Sequence, residues 1–208
     1  MSQVTEILLR TRAQSRQLPW KNGRGTTEEL AIWPEATELA RGDFDWRISK
    51  AVVAESGPFS SFPGFDRTLV PTGGDGLELR HGAASAPVLV RPFSVHRFSG
   101  DVATSALLLG SPVPDFNVIV RRGYGSADVA VHRASGAVLG IRTRGEHAFL
   151  HVLAAAFTLR VGGEAPVTVA PGESLWLRGL IAPLDLAAEC ATADGVLLFV
   201  RIAASEQP

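Results

Sequence analysis

Short runs of alternating apolar and polar residues, separated by glycine or proline about every 8–12 positions, dominate this chain. The alternation predicts strands over 26–33, 45–53, 66–70, 77–81, 88–91, 95–98, 105–109 and 117–121. Beyond these it predicts strands over 129–132, 149–153, 157–161, 167–170, 174–177 and 196–202. Leu77 and Leu79 are expected to point inward. Gly73-Gly74-Asp75-Gly76 reads as the turn of a hairpin joining 66–70 to 77–81. Helical period is almost absent, and only 35–41, after Pro34, offers one short helix. Many short strands with turn signals between them predict an all-β sandwich or barrel.

The pattern also repeats. Leu77-Glu78-Leu79-Arg80 is echoed by Phe157-Thr158-Leu159-Arg160. Ala86-Pro87-Val88-Leu89-Val90-Arg91-Pro92 matches Ala165-Pro166-Val167-Thr168-Val169-Ala170-Pro171 without a gap. Each copy reaches a glycine eight residues after its final proline, at Gly100 and Gly179. Duplication of a β unit explains this spacing. It predicts two similar sandwiches, 1–112 and 113–208, meeting where Gly110-Ser111-Pro112-Val113-Pro114 interrupts the alternation.

Composition narrows the function classes. With 20 basic and 21 acidic residues interleaved, the chain lacks the basic stripe that a nucleic-acid platform uses to release counterions. The single Cys190 has no partner for an internal disulfide, consistent with a reducing compartment. No apolar run approaches the length of a membrane span, and the first residues lack the pattern of a signal peptide. A cytoplasmic protein with no membrane partner is the expectation.

Most of the chemistry sits in Pro19-Trp20-Lys21-Asn22-Gly23-Arg24-Gly25-Thr26-Thr27, a polar, glycine-containing loop placed before a strand. It fits neither the P-loop nor the dinucleotide loop, which need Gly-Lys-Ser/Thr or a third glycine before a long helix. It reads either as a solvated hairpin or as a pocket rim whose Lys21 and Asn22 offer donors to an anion or amide. On the strand at 45–53, Arg47 and Ser49 share one face and Trp46 and Ile48 the other, so one of the two sets faces the sandwich interior. A guanidinium placed inside needs a carboxylate from the protein or from a ligand. Asp66, Arg67, Asp115 and Asn117 could add polar groups nearby, or Asp66 and Asp115 could simply cap turns.

Five blocks then resemble one family, the HutD/Ves proteins, a bicupin group associated with bacterial histidine utilisation. They are Pro19–Gly23 with Gly25-Thr26-Thr27, Phe44-Asp45-Trp46-Arg47-Ile48-Ser49, and Gly57-Pro58-Phe59-Ser60 followed by Phe62-Pro63-Gly64-Phe65-Asp66-Arg67. Phe98-Ser99-Gly100-Asp101 and Asp115-Phe116-Asn117-Val118 with Arg121-Arg122-Gly123 complete the set. Arg24 and Lys50 depart from the pattern, and Lys50 suggests an altered strand face or a local salt bridge. The resemblance implies a double-stranded β-helix, the jelly roll of RmlC-like cupins, in two copies. It implies binding of a small intermediate of histidine breakdown, urocanate or formylglutamate, with no established enzymatic activity.

Many cupins hold a metal, yet His81, His96, His132, His147 and His151 include no His-x-His pair. The turn at Pro171-Gly172-Glu173-Ser174-Leu175-Trp176 looks like the second cupin motif but has no histidine where that motif carries one. No metal and no other cofactor is therefore expected. The resulting expectation is a ligand site of Trp20, Lys21, Asn22, Thr26, Arg47, Ser49, Asp66, Arg67, Asp115 and Asn117 for a small carboxylate or amide. Homodimerisation stays open. A cofactor-free enzyme, with Asp66 or a histidine as general base and Arg47 holding an oxyanion, is the alternative.

Overall fold

The computed structural model describes residues 4–19, 26–83, 85–134, 139–143 and 145–205. In chain order its strands begin with β1 (Glu6–Arg10), β2 (Arg16–Pro19), β3 (Thr26–Trp33), β4 (Trp46–Val53), β5 (Gly57–Pro58) and β6 (Phe65–Pro71). Next come β7 (Leu77–His81), β8 (Val88–Val90), β9 (His96–Ser99), β10 (Thr104–Leu108), β11 (Val113–Arg121) and β12 (Gly125–Arg133). The last are β13 (Leu139–Thr143), β14 (His147–Ala154), β15 (Phe157–Val161), β16 (Val167–Val169), β17 (Ser174–Arg178), β18 (Leu184–Cys190) and β19 (Val196–Ala204). The stretch at 35–41 yields only a 3₁₀ turn, Leu39–Arg41, ended by Gly42 in the left-handed region.

The strands divide between two compact units, 15–124 and a second formed by 1–14 with 125–208. In the first, a six-stranded sheet (β2-β3-β4-β11-β6-β9) faces a four-stranded one (β5-β10-β7-β8). The second pairs a five-stranded sheet (β1-β17-β14-β19-β12) with a four-stranded one (β13-β18-β15-β16). The order β4-β11-β6-β9 recurs as β12-β19-β14-β17, and β5-β10-β7-β8 recurs as β13-β18-β15-β16. The echo between 77–92 and 157–171 is thus one segment of a repeat that runs through both sandwiches. Only β2, β3 and β1 are additions.

Two expectations change. A boundary at 112/113 would detach β11 from the sheet in which it lies between β4 and β6. The division runs at 124/125 instead, and the N-terminal strand β1 pairs with β17 in the second unit. The segment 66–81 is also not a hairpin. β6 pairs with β11 and β9, whereas β7 pairs with β10 and β8 in the opposite sheet. Gly73–Gly76 is the corner where the chain changes sheets, and Gly74 and Gly76 both have positive φ. Leu77 and Leu79 do point inward, joining Leu69, Val90, Ala106 and Val113 in one core cluster. A second inward cluster, Ile32, Phe44, Phe65 and Ile119, fills the other end of the first sandwich.

The corner gives a direct test. A Cβ on Gly76 (φ +97°) would sit 2.7 Å from the Val90 carbonyl oxygen. Gly76→Ala should therefore lose about 1–3 kcal/mol in urea unfolding. Gly140→Ala, where a Cβ meets nothing within 4 Å, should stay within about 0.5 kcal/mol of the parent.

Candidate functional site

Strand register builds the site. Glu29, Ser49, Asn117, Leu69 and His96 form one row across β3, β4, β11, β6 and β9. Ile32, Arg47, Ile119, Arg67 and Phe98 form the row beside it. Because side chains alternate along a strand, both rows lie on the same face, as does Asp115, opposite Ala51 and Pro71. That face is the inner one, since Leu69 and Ile119 belong to the two inward clusters. A belt of charged and amide side chains thus runs between two apolar clusters.

Every member of the belt is held. The Arg47 Nε donates to Glu29 Oε2 at 2.8 Å and its Nη1 to Ser49 Oγ at 3.2 Å. Glu29, itself buried, also accepts from Arg16 at the sheet edge, with Nε to Oε1 at 2.9 Å. The Arg67 Nη1 donates to the Ser60 carbonyl at 2.9 Å and its Nη2 to Asn117 Oδ1 at 3.3 Å. Rings of Phe59, Phe62 and Phe98 lie 4.9–5.5 Å from the Arg67 guanidinium carbon. Such ring faces favour a cation while excluding water from it. Asp115 Oδ1 accepts from the Ala51 N–H at 3.1 Å.

Donors exceed acceptors. Arg47 Nη2 and Arg67 Nε are buried and have no hydrogen-bond partner among the described residues. Arg47 and Arg67 flank Ile119, so their Cα atoms are about 10 Å apart, two strand spacings. Burial lowers the pKa of both. For Arg67 the value falls to about 10, with Asp115 opposing the shift and Arg47 adding to it. Burial pushes Asp115 the other way, up to about 7, against the Asn117 side chain, the Arg67 charge and the Ala51 N–H.

Two histidines border this belt. His81 Nε2 and His96 Nε2 are 2.8 Å apart, and His81 Nδ1 lies 3.0 Å from Thr104 Oγ1. The Thr104 hydroxyl donates to the Val102 carbonyl, so it accepts from His81 Nδ1–H. His81 Nε2 is then the acceptor and His96 Nε2–H the donor. Burial lowers the pKa of both rings, assisted by Arg67 at His81 and by His81 at His96. Phe93, in the turn that leads to His96, has φ +64°, whereas its counterpart in the other sandwich is Gly172.

The structure thus brings together Arg47, Ser49, Arg67, Asp115 and Asn117. Asp66 does not join them. It sits one position out of phase on β6, exposed, with Arg122 Nε 2.8 Å from its carboxylate. It cannot serve as a general base in the interior. Thr26 is exposed at the start of β3, opposite Pro19. Trp20, Lys21 and Asn22, with Arg24, lie outside the described residues. Lys50 pairs with Glu28 at 3.3 Å, the salt bridge its unusual placement suggested. Glu29, His81, His96 and Phe98 are the members missed. For Glu29 a signal existed, because a carboxylate at the centre of a strand heading into a core is unusual. No three His, Cys, Asp or Glu side chains among the described residues converge as metal ligands.

The second sandwich serves as an internal comparison. The echo that sets Pro92 opposite Pro171 sets His96 opposite Leu175. From there register carries Arg67 to Ala148, Asn117 to Phe199, Asp115 to Leu197 and Ser49 to Ala130. Arg47 maps to Asp128, which is exposed and paired with Arg201. Ala148, Leu175, Leu197 and Phe199 belong to one continuous apolar core. The fold therefore closes without a polar belt.

Fold and site together define a cupin-like double sandwich in which one unit has an apolar core cluster at the matching positions and the other carries a buried, cation-rich belt. The sequence profile of the HutD family matches residues 12–197, and the chain belongs to that family. It is 43% identical over 120 residues to an uncharacterised 21.2 kDa protein of the hutC 3' region of Pseudomonas putida, covering 57% of this chain and 59% of that protein. It is 35% identical over 133 residues to protein Ves of Citrobacter koseri, covering 61% of this chain and 66% of that one. The alignments thus span less than two thirds of either relative's length. Among solved structures, a conserved protein of unknown function from Pseudomonas aeruginosa PAO1 superposes with TM-score 0.86 and 28% identity, covering 96% and 100% of the two chains. HutD from Pseudomonas fluorescens SBW25, in a formate condition, gives 0.78 and 26%, covering 97% and 100%. A cupin 2 barrel protein from Leptotrichia buccalis, at 0.54 and 12% over 96% and 97%, shares the fold. No helix among the described residues is long and apolar enough to cross a membrane.

Asp115 makes stability depend on pH in a definite direction. Its folded-state pKa, about 7, stands above the ordinary 3.8, so folding favours the protonated form. The associated stabilisation is present in full below pH 3.8 and is lost as pH rises through about 7. Urea unfolding should show parent stability falling between pH 5 and pH 8, with the fall largely absent in Asp115→Asn. Glu29→Gln, which leaves the buried Arg47 without a carboxylate, should lose about 3–5 kcal/mol at pH 7.

Proposed function

We propose that this protein binds a small carboxylate in the interior of its first sandwich and acts as a sensor or regulator of histidine catabolism. The observation that carries the reading is a pair of buried guanidinium donors, Arg47 Nη2 and Arg67 Nε, that have no hydrogen-bond partner among the described residues. A buried N–H without an acceptor is disfavoured, and a carboxylate between the two guanidiniums supplies acceptors to both and a counter-charge to Arg67. Asn117 and Ser49 stand beside them to read an amide, formyl or second polar group, and Phe98 offers an apolar wall. The contrast with the apolar second sandwich supports function rather than folding as the reason for the belt. Family membership, and the hutC-region relative, support an intermediate of histidine breakdown, urocanate or N-formylglutamate, as the ligand. No cofactor takes part in the proposed binding.

The His81–His96 pair favours a second reading, a cofactor-free enzyme. Its fixed tautomers engage His81 Nε2 as an acceptor and leave His96 Nδ1 as the unprotonated nitrogen, a general base for a ligand whose oxyanion Arg67 would hold.

Calorimetric titration with urocanate, N-formylglutamate and formate tests the first reading. Saturable binding, with each ligand recovered unchanged, is expected. Arg67→Met should weaken binding about 10–100-fold, the loss of one charged hydrogen bond and its field. Absence of binding by all three would overturn the reading. Chemical conversion of a ligand, abolished in His96→Gln, would establish the enzyme instead.

A further inference from the structure

We infer that the first sandwich takes up its carboxylate together with a proton, which is received by Asp115. This rests on the carboxylate-binding reading above and adds its regulation by pH.

Among the described residues, the charged and titratable groups turned toward this interior are Glu29 from β3, Arg47 from β4, Arg67 from β6, Asp115 from β11, and His81 and His96 from β7 and β9. Glu29 and Arg47 form one ion pair, at 2.8 Å. The two imidazoles share a single hydrogen bond and are neutral near pH 7, since burial lowers both. Asp115 and Arg67 are left to balance each other. Arg67 donates hydrogen bonds to Ser60 and Asn117, so it and Asp115 interact through space and through Asn117.

An anion at Arg67 Nε takes over the role of Asp115. Two negative charges would then share one cation in a largely buried site, and such pairs titrate apart, one carboxyl becoming protonated. The incoming carboxylate is more closely held by guanidinium donors, whereas Asp115 is the group already raised to about 7 by burial. Asp115 therefore takes the proton from solvent, and no bond other than its O–H is formed. The interior keeps the same net charge before and after binding. In effect the sandwich absorbs the elements of a neutral acid, and its affinity falls as pH rises.

Formate is the probe, because it stays ionised throughout the range used. Calorimetry at pH 8 in two buffers of different ionisation heat should show uptake of about half to one proton per formate bound. Affinity should weaken by up to about tenfold per pH unit above pH 8. In Asp115→Asn, which keeps the shape of the protonated acid, uptake should vanish and affinity should be flat from pH 7 to 9. Asp115→Leu, the residue type found at the matching Leu197, should likewise abolish uptake. Formate binding without proton uptake overturns the inference while leaving the carboxylate reading intact. Uptake persisting in both variants also overturns it and assigns the proton to the His81–His96 pair. No binding by formate, urocanate or N-formylglutamate defeats the underlying reading, and this one with it.

Discussion

Two guanidinium groups lie inside a β-sandwich, and the rest of the first unit is arranged around that fact. Bringing one such ion out of water costs several kcal/mol even after the surroundings relax, and Coulomb attraction recovers this only when geometry and hydrogen bonding are good. The chain meets the requirement for Arg47 with Glu29, itself buttressed by Arg16 from the edge strand β2. For Arg67 it uses a backbone carbonyl, an amide and three aromatic rings, with Asp115 nearby. Among the described residues, both arrangements leave one guanidinium nitrogen without an acceptor. A belt built for stability alone would have been finished, or replaced by apolar groups.

The second sandwich shows what replacement looks like. With the same strand order and register it places alanine, leucine and phenylalanine where the first has arginine, histidine, aspartate and asparagine. Exchanging a buried ionic cluster for well-packed apolar residues is commonly neutral or stabilising. Selection for folding would thus permit the apolar solution in both halves. The duplication in effect provides one unit that carries the chemistry and one that does not, with β2 and β3, the strands that bring Arg16 and Glu29, added only to the former.

Strand alternation and turn residues are local properties, so the all-β class and most strands were legible in the sequence. The internal echo carried the duplication for the same reason. Pairing is not local. Gly73-Gly74-Asp75-Gly76 has the composition of a hairpin turn but connects two sheets, because which strand β6 meets is decided by β11, more than forty residues on. The two-residue edge strand β5 was too short to show a period. For the site, Arg47 and Ser49 could be placed on one face by phase alone, whereas Asp66 and Arg67, being adjacent, had to face opposite ways and only Arg67 turned in. Glu29 and the His81–His96 contact join separate strands across a bulge and across the two sheets, and no spacing in the chain announces them.

The account stands or falls on where an anion settles. The most direct measurement is a crystal structure of the protein soaked with bromoacetate, whose bromine can be located by its anomalous signal. The account predicts a carboxylate held between Arg47 and Arg67 in the first sandwich and no bromine in the interior of the second. A structure in which both guanidiniums are saturated by the protein's own groups, with bromine absent from that interior, would contradict it.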